Sequence, residues 1–537
     1  MRTRNQIIEE VLEDYINNMD MDNIPEPRDI ESQVVNNIND TIALENQIRP
    51  KGDKLRNIDG LDHDVIAKLM LATNTIVCIN CGDENNDIDK DMLAIYKTDG
   101  INKGTYRSEY EEFKAIATKY NPRLTKSQIK DVIERLHTYA PHVERCIDKD
   151  LIAVNNGIFN YKTKQMQDFT PDLVFLSKSH VNYNHAAQNV VIHNDEDGTD
   201  WDVESWVESL FDDSEMVEFI WKIMGAVVRP IVKWEVAVLF YSAIGSNGKG
   251  SLCELFRNII GKQASASIQL NSFAKEFGLE PLTRANAIIT DENDVGGVID
   301  KAGALKAIIT HDVIQLNRKY QAPINFRPLL FMIQCVNELP RCSDKTSSWY
   351  RRYLVVPFEK CFTGMERKYI KSDYLNRTEV LEYCLFKVLN MNYYELTAPK
   401  LCKEAMDTYK ISNQPVFEFW KELKYQFKWT LLPFTFLYDL YKVWYSKNIS
   451  KNGQEGRNKF ISELRNIIRD DEEWEDSHQR SKGRMDVPEP LIAEYELVDW
   501  KNPNYTGGSV DKACMPKLAD AYDGLLRIST KSDDTNE

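Results

Sequence analysis

The residues whose types could do chemistry together lie between 243 and 352. Residues 243–251 are Ala-Ile-Gly-Ser-Asn-Gly-Lys-Gly-Ser. An apolar run at 236–241 precedes them with the character of a buried strand, and an amphipathic run to 260 follows with that of a helix. Strand, Gly-rich turn and helix in this order form a phosphate-binding loop. Small residues let backbone N–H groups close around phosphate oxygens, and the helix N-terminus adds the positive end of its dipole. Lys249 would reach the β- and γ-phosphates, so Gly245, Ser246, Asn247, Gly248, Lys249 and Gly250 form the candidate cradle. Against the pattern GxxxxGK[ST], Ala243 replaces the first glycine and Gly250 stands at the hydroxyl position. The hydroxyl comes one residue late, on Ser251. Either Ser251 ligates Mg2+, or water fills the place of the missing side chain.

Further along, residues 286–292 read Asn-Ala-Ile-Ile-Thr-Asp-Glu, a short apolar strand ending in two carboxylates. In a nucleotide-hydrolysing site Asp291 would hold Mg2+ through water, and Glu292 would orient and deprotonate the attacking water. Strand ends are the right place, because ligands collect at the carboxyl ends of parallel strands. A third apolar run, 328–336, ends in Asn337, which either polarises water beside the γ-phosphate or simply starts a turn. Arg351 and Arg352 precede a further apolar run. They form either a surface pair or arginine fingers that reach a neighbouring subunit's γ-phosphate.

These groups need a large scaffold, and 537 residues provide two to four domains. Apolar residues at 42% and charged residues at 28% place the chain among ordinary globular proteins. No apolar run is long enough to span a bilayer and the N-terminus lacks a signal-peptide core, which predicts a cytoplasmic protein without a membrane partner. The ten cysteines are scattered among apolar neighbours, as reduced thiols are. Cys78 and Cys81 read as buried strand residues, since no second ligand pair follows at zinc spacing. A net charge of −16 excludes coating of nucleic acid by bulk attraction, although a local basic strip remains compatible with it.

The organisation expected is an α/β chain with an AAA+-like P-loop ATPase core. An acidic helical appendage (1–60) and an α+β domain (61–190) precede the core (200–365). A helical connector (366–414), a winged-helix region (415–530) and a polar tail (531–537) follow it. Strands are predicted at 72–79 and 92–96, helices at 110–120 and 126–139, and a hairpin at 151–161. Residues 188–199 read as a linker and 201–229 as amphipathic helix.

Between the second and third strands stands Leu305-Lys306-Ala-Ile-Ile-Thr310-His311-Asp312, followed by Asn317-Arg318-Lys319. With these segments the set resembles the superfamily 3 helicase core, in the version found in the C-terminal half of phage, plasmid and poxvirus-type primase-helicases. That family's loop, G-x-G-x-N-G-K-[GS]-[ST], accommodates Gly250 and the late Ser251, and Ala243 is the departure. Its L-K-x-x-T-G-G-D segment is matched at Lys306 and Asp312, with Thr310-His311 where two glycines usually stand. Residues 151–161 resemble its N-F-x-N-G segment.

The resemblance implies an ATP- and Mg2+-dependent DNA helicase that works as a homo-oligomer, a hexameric ring, on single-stranded and forked DNA. The setting would be replication of a phage, plasmid or other mobile element in a bacterial host cell, with replication initiator or host replication proteins as further partners. Asp291, Glu292 and Asn337 would act in cis with Lys249, and Arg351 or Arg352 in trans. Arg318 and Lys319 would sit on a hairpin gripping DNA in the channel, with Lys306 nearby. Lys442, Trp444, Lys447, Lys451, Arg457, Lys459 and Arg465 interleave bases with aromatics in the C-terminal region. The alternatives are an ATP-binding origin recogniser with little unwinding, a primase-helicase, and an oligomeric ATPase acting on a protein. Only about 90 residues precede the family's helicase-associated domain, too few for a polymerase domain.

Overall fold

The structure, a computed structural model, describes residues 1–83, 87–273, 275, 278–293, 302–319, 321–340, 342, 346–365, 367–448, 454–469 and 471–528. Lys451 and the 531–537 tail lie outside the described residues. The chain divides into two compact units, Met1–Lys403 and Glu404–Glu537.

Five strands make the main sheet of the first unit: β1 (Ala237–Tyr241), β2 (Ser265–Ala266), β3 (Ala287–Thr290), β4 (Phe331–Val336) and β5 (Tyr353–Pro357). Their spatial order is β2-β3-β4-β1-β5, and every neighbouring pair is parallel. A parallel sheet is covered on both faces, so its strands are continuously apolar rather than alternating. β4 is buried along its whole length, and β1 at every residue but Tyr241. The helix α1 (Lys249–Ile260) and the helices Ser214–Val228 and Thr378–Asn390 pack with Val238, Phe240, Ile289 and Ile333 in one core.

Register decides what the sheet can position. Tyr241 pairs with Val336, and Thr290 with Gln334, so β1, β3 and β4 end along one edge. The Gly-rich loop, Asp291 and Asn337 therefore leave the sheet together. Arg351 and Arg352 precede β5 and belong to the opposite edge, where the Ala237 N–H donates to the Arg352 carbonyl at 2.8 Å. Strands of this length put roughly 15 Å between the two edges.

The first 60 residues are not an appendage. In the helix Pro27–Gln47, Ile30, Val34, Ile38 and Ile42 repeat at four-residue spacing. All four are fully buried against Val65, Leu69, Ile76 and Tyr120 of the domain that follows. The helices Tyr110–Tyr120 and Lys126–Tyr139 and the strand Met92–Tyr96 stand where the pattern put them. The expected strand at 72–79 begins at Ile76, because Ala72 and Thr73 close the helix His63–Thr73. Cys78 is buried within that strand and Cys81 just beyond it. The hairpin at 151–161 is formed by Leu151–Val154 and Gly157–Asn160.

Residues 188–199 do not form a linker. Ile192–Asn194 and Thr199–Trp201 pair as a hairpin around Asp197-Gly198, with Gly198 at φ 65°. Asn194 is buried and donates to the Tyr374 hydroxyl at 3.0 Å. The amphipathic run after it is two helices, Val203–Ser209 and Ser214–Val228, because Asp213 caps a new N-terminus by accepting from the Glu215 N–H.

A segment from the preceding domain seals the end of α1. Ser179 Oγ donates to the Ile259 carbonyl at 2.5 Å, and the His180 N–H to that of Ile260 at 3.2 Å. Two carbonyls that a helix end leaves unpaired are thereby satisfied. Gly261 (φ 88°) lies so close that a Cβ there would meet His180 Cγ at 2.4 Å. Burial, with Lys178 and Arg107 nearby, pushes the His180 imidazole down to about 4. Between its ordinary value and about pH 4 the unfolded chain binds a proton that the folded one does not, so stability falls as pH drops through that window. Thermal midpoints should decline from pH 6.5 to pH 4.5, and His180→Gln should flatten the decline. A slope unchanged by the substitution would assign it elsewhere.

The second unit runs helix Pro415–Leu423, strand Leu431–Pro433, helices Phe434–Asn448 and Arg457–Ile468, then strands Trp474–Arg480 and Ala521–Arg527. The strands pair antiparallel with Ala521–Arg527 in the middle. Its core is aromatic, with Trp429, Trp444, Trp474, Phe419 and Phe460 all buried. Among the described residues, no helix is long and apolar enough to cross a membrane.

Candidate nucleotide site

The loop between β1 and α1 is bent by two residues in the left-handed region, Ser246 (φ 54°) and Gly248 (φ 85°). Gly248 caps α1 and is required twice over: its φ suits only glycine well, and a Cβ there would lie 2.6 Å from Leu210 Cδ2. Asn247 is buried and stitches the turn, donating to the Ile244 carbonyl at 2.5 Å and accepting from the Lys249 N–H at 3.2 Å. From outside, the Phe362 N–H donates to the Ser246 carbonyl at 2.7 Å, and Cys361 Sγ contacts that of Gly245 at 3.7 Å. Gly245 has nothing within 4 Å of where a Cβ would stand, which leaves room for a ligand at the loop's crest.

Lys249 is 7% exposed, and its ammonium donates to the carbonyls of Ser242 (3.3 Å) and Val336 (3.2 Å) and to Asn337 Oδ1 (3.2 Å). The lysine of the loop and the asparagine of the third strand are thus joined directly. Burial, with no carboxylate in contact among the described residues, pushes the ammonium below its ordinary range. Such a group favours the approach of an anion, because neutral carbonyls compensate its charge only in part.

Asp291 leaves the end of β3 and is gripped by Arg257 of α1 in a two-pronged pair, Nη1 to Oδ2 at 2.9 Å and Nη2 to Oδ1 at 2.7 Å. Arg257 Nη2 also donates to the Ile289 carbonyl at 3.1 Å. The fork fixes the carboxylate plane, as bidentate pairs do. Asp291 keeps 37% of its side chain exposed, so its outer lone pairs remain open to water or a hydrated cation. Behind it, Cys253 Sγ and Cys335 Sγ lie 3.4 Å apart and buried. Their mutual hydrogen bond and burial hold the Cys253 thiol well above its ordinary value, in the neutral form. Glu292 is exposed at the same edge, and Ser251 is half-buried in the first turn of α1.

Two of these supports escaped the sequence reading. Arg257 falls eight residues after Lys249, with Cys253 midway, so all three share one stripe of α1. Asn293 ties the end of β3 to β4, donating to Gln334 Oε1 and the Cys335 carbonyl at 3.0 Å each and accepting from the Leu270 N–H at 2.9 Å. Its place directly after two carboxylates was the available signal.

The remaining candidates are not gathered here. Arg352 Nη1 is tied to the Ser348 carbonyl (2.5 Å) and hydroxyl (2.6 Å), whereas Arg351 is exposed. Arg318 and Lys319 lie in the turn of a hairpin formed by Ile314–Leu316 and Ile324–Phe326. Lys319 is exposed. Arg318 turns inward: Nη2 donates to the Ala322 carbonyl at 3.2 Å, and burial pushes its guanidinium down to about 10. Lys306 is half-buried on the helix Gly303–Ile309. His311 has φ 56°, so a left-handed turn persists where glycine is absent. The buried imidazole, bonded to the Leu330 carbonyl at 3.0 Å, offsets the strain.

A parallel sheet whose first strand feeds a Gly-rich loop and helix, with carboxylates and an asparagine ending two other strands at the same edge, is consistent with a P-loop core. Residues 31–214 match the family described as D5 N terminal like, and residues 411–502 the family described as Poxvirus D5 protein-like. Residues 240–352 match a family of unknown function, DUF5906. Two separate stretches of the chain thus match D5-like families, the poxvirus D5 protein-like family among them. A protein of Invertebrate iridescent virus 3 named "Putative helicase 121R" is 23% identical over 368 residues, covering 59% of this chain and 37% of its own length. The chain thus spans under half of that relative. Among solved structures, the apo A form of the NrS-1 C terminal region aligns with a TM-score of 0.44 and 15% identity, over 79% of this chain and 98% of that one. The A form of its 305–718 region aligns with a TM-score of 0.42 and 14% identity, over 87% and 100%.

Proposed function

We propose that the chain is an ATP-dependent superfamily 3 DNA helicase, working as a ring of six copies on single-stranded DNA during replication of a mobile element. The observation that carries this reading is the direct contact of Lys249 with Asn337 at the strand edge where Asp291 and Glu292 also stand. Bound ATP with Mg2+ would supply the phosphoryl group to be transferred. Loop N–H groups and Lys249 would hold the phosphate chain, and Ser251 and Asp291 the hydrated cation. Glu292 would take the proton of the attacking water. Asn337 would exchange its bond with Lys249 for one to that water or to the phosphate it attacks. The exposed Arg351, about 15 Å from its own loop, would complete the loop of an adjacent copy. At the hairpin turn, Lys319 is the better placed residue for a DNA phosphate, since Arg318 is turned inward. In a forked-DNA assay the protein should separate strands with ATP and not with ADP. Strand separation unaffected by the nucleotide would contradict the reading.

A second reading, origin recognition, draws on the C-terminal unit. Its order of elements is that of a winged helix, and the helix Arg457–Ile468 exposes Arg457, Asn458, Ser462, Arg465 and Asn466. Such side chains on one helix face suit base edges and phosphates of a major groove. They border an open groove of about 720 Å³ against the strands. Arg465 already pairs with Asp476 at 2.7 Å, which leaves Arg457 the freer contact. Arg457→Ala should weaken duplex binding by about tenfold if this face reads DNA. Unchanged binding would remove the second reading.

A further inference from the structure

A strap of chain at 367–376 crosses α1 just beyond the Gly-rich loop. It carries the helix Lys368–Ser372 and the turn Tyr374–Asn376. On one side it is fastened to the 192–201 hairpin. Tyr369 Oη donates to Asp197 Oδ2 at 2.5 Å, and the Tyr374 hydroxyl accepts from Asn194. Tyr374 is buried with its ring 5.3 Å from that of Trp201. On the other side Asn258 of α1 donates to the Leu375 carbonyl at 2.9 Å and to Asn376 Oδ1 at 3.1 Å. Asn376 Nδ2 in turn donates to the Lys371 carbonyl at 3.1 Å. The backbone of Lys371 is therefore fixed to the helix that follows the loop.

Its side chain is not. Lys371 is exposed, and its ammonium lies 3.6 Å from where a Cβ on Gly250 would stand. Among the described residues it has no carboxylate partner. The ammonium thus sits at the first turn of α1, next to the positive end of the helix dipole and one residue from Lys249. A helix start normally attracts acidic residues, and this one has none in its first turn. Asp291, at the same edge of the sheet, is paired with Arg257. Positive charges gathered this way repel one another until an anion joins them. Gly250 contributes by omission, since it puts no side chain between the ammonium and the helix start.

We propose that Lys371 is a second phosphate-binding cation of this site, supplied in cis by the strap. It would engage the α/β end of a nucleoside di- or triphosphate, while Lys249 serves the β/γ end. The assignment follows position: backbone N–H groups of the loop and first turn face the α- and β-phosphates, and Gly250 lies past Lys249 in that direction. The inference rests on the nucleotide-site reading and adds to it a contact that does not need the γ-phosphate.

The test is equilibrium binding of fluorescent ADP and of a non-hydrolysable ATP analogue to the full chain, at two salt concentrations. Wild type should bind both. Lys371→Ala should weaken both by a similar factor, about 10- to 100-fold, the loss of one charge-assisted hydrogen bond. Lys371→Arg should recover most of the affinity. Lys368→Ala, an exposed lysine one turn earlier on the same strap, should bind as wild type does. Thermal midpoints equal to wild type in all variants would show that the strap remains folded. Failure of wild type to bind either nucleotide would overturn the site reading and the proposal together. Full affinity in Lys371→Ala, or an equal loss in Lys368→Ala, would overturn the proposal alone. So would a loss confined to the triphosphate analogue, because it would place the ammonium at the γ-phosphate.

Discussion

Lys249→Ala is expected to lower ATP turnover by about two to three orders of magnitude, the usual effect of removing one preorganised charge from a developing oxyanion. The reason is geometric. Lys249 bonds both the loop strand's end and the third strand's end, through Ser242 and through Val336 and Asn337. Alanine would remove the charge and also the link that sets Asn337 against the loop. Its structural cost should be small, since the lost partners are two carbonyls and an exposed amide that water can satisfy. The thermal midpoint should therefore stay near wild type while turnover collapses. Steady-state hydrolysis and a melting curve on one preparation check this. Turnover within a few-fold of wild type would remove Lys249 from the reaction.

The second large effect concerns Arg351. Its place before β5 puts it at the edge of the sheet opposite the loop, so no side-chain movement brings it to its own nucleotide. If it stabilises transition-state charge, it does so in the next copy, and Arg351→Ala should reduce turnover by about a thousandfold. Mixing then separates trans from cis. Arg351→Ala subunits retain an intact loop, Lys249→Ala subunits retain the finger, and each alone is nearly inactive. Together they should recover part of the activity, at junctions where the first supplies the loop and the second the arginine. Arg352→Ala is the informative companion. Its guanidinium is tied to Ser348, so it should affect stability more than complementation. No recovery at any mixing ratio would argue against a trans role for Arg351.

How much of this was legible beforehand depended on whether the signal was local. The loop could be read because strand, turn and helix are contiguous and each has its own pattern. Asp291 and Asn337 could be read because apolar strands end visibly. That all three share one edge followed from the parallel register, which the alternation of strands and helices implied. What was missed is tertiary. The pairing of Arg257 with Asp291 joins residues 34 apart, and the approach of Lys371 to Gly250 depends on a strap held by a hairpin from residues 192–201. That hairpin reads as a linker in the sequence, because its polar composition hides how Asn194 and Trp201 are buried. Likewise a weak apolar stripe made the first 60 residues look like an appendage. The stripe is short of residues but complete in spacing, and all four of its main members are fully buried. Arg318 shows the converse limit. A basic residue in a hairpin turn reads as exposed, yet here its guanidinium is enclosed.

The most direct test of the central claim is ATP turnover with and without single-stranded DNA, for wild type and for Glu292→Gln. This exposed carboxylate has no described structural task for its side chain, so the substitution should leave folding and ATP binding intact. DNA should raise wild-type turnover several-fold, and Glu292→Gln should bind ATP but turn it over negligibly under both conditions. Turnover that ignores DNA in the wild type and persists in Glu292→Gln would contradict the claim.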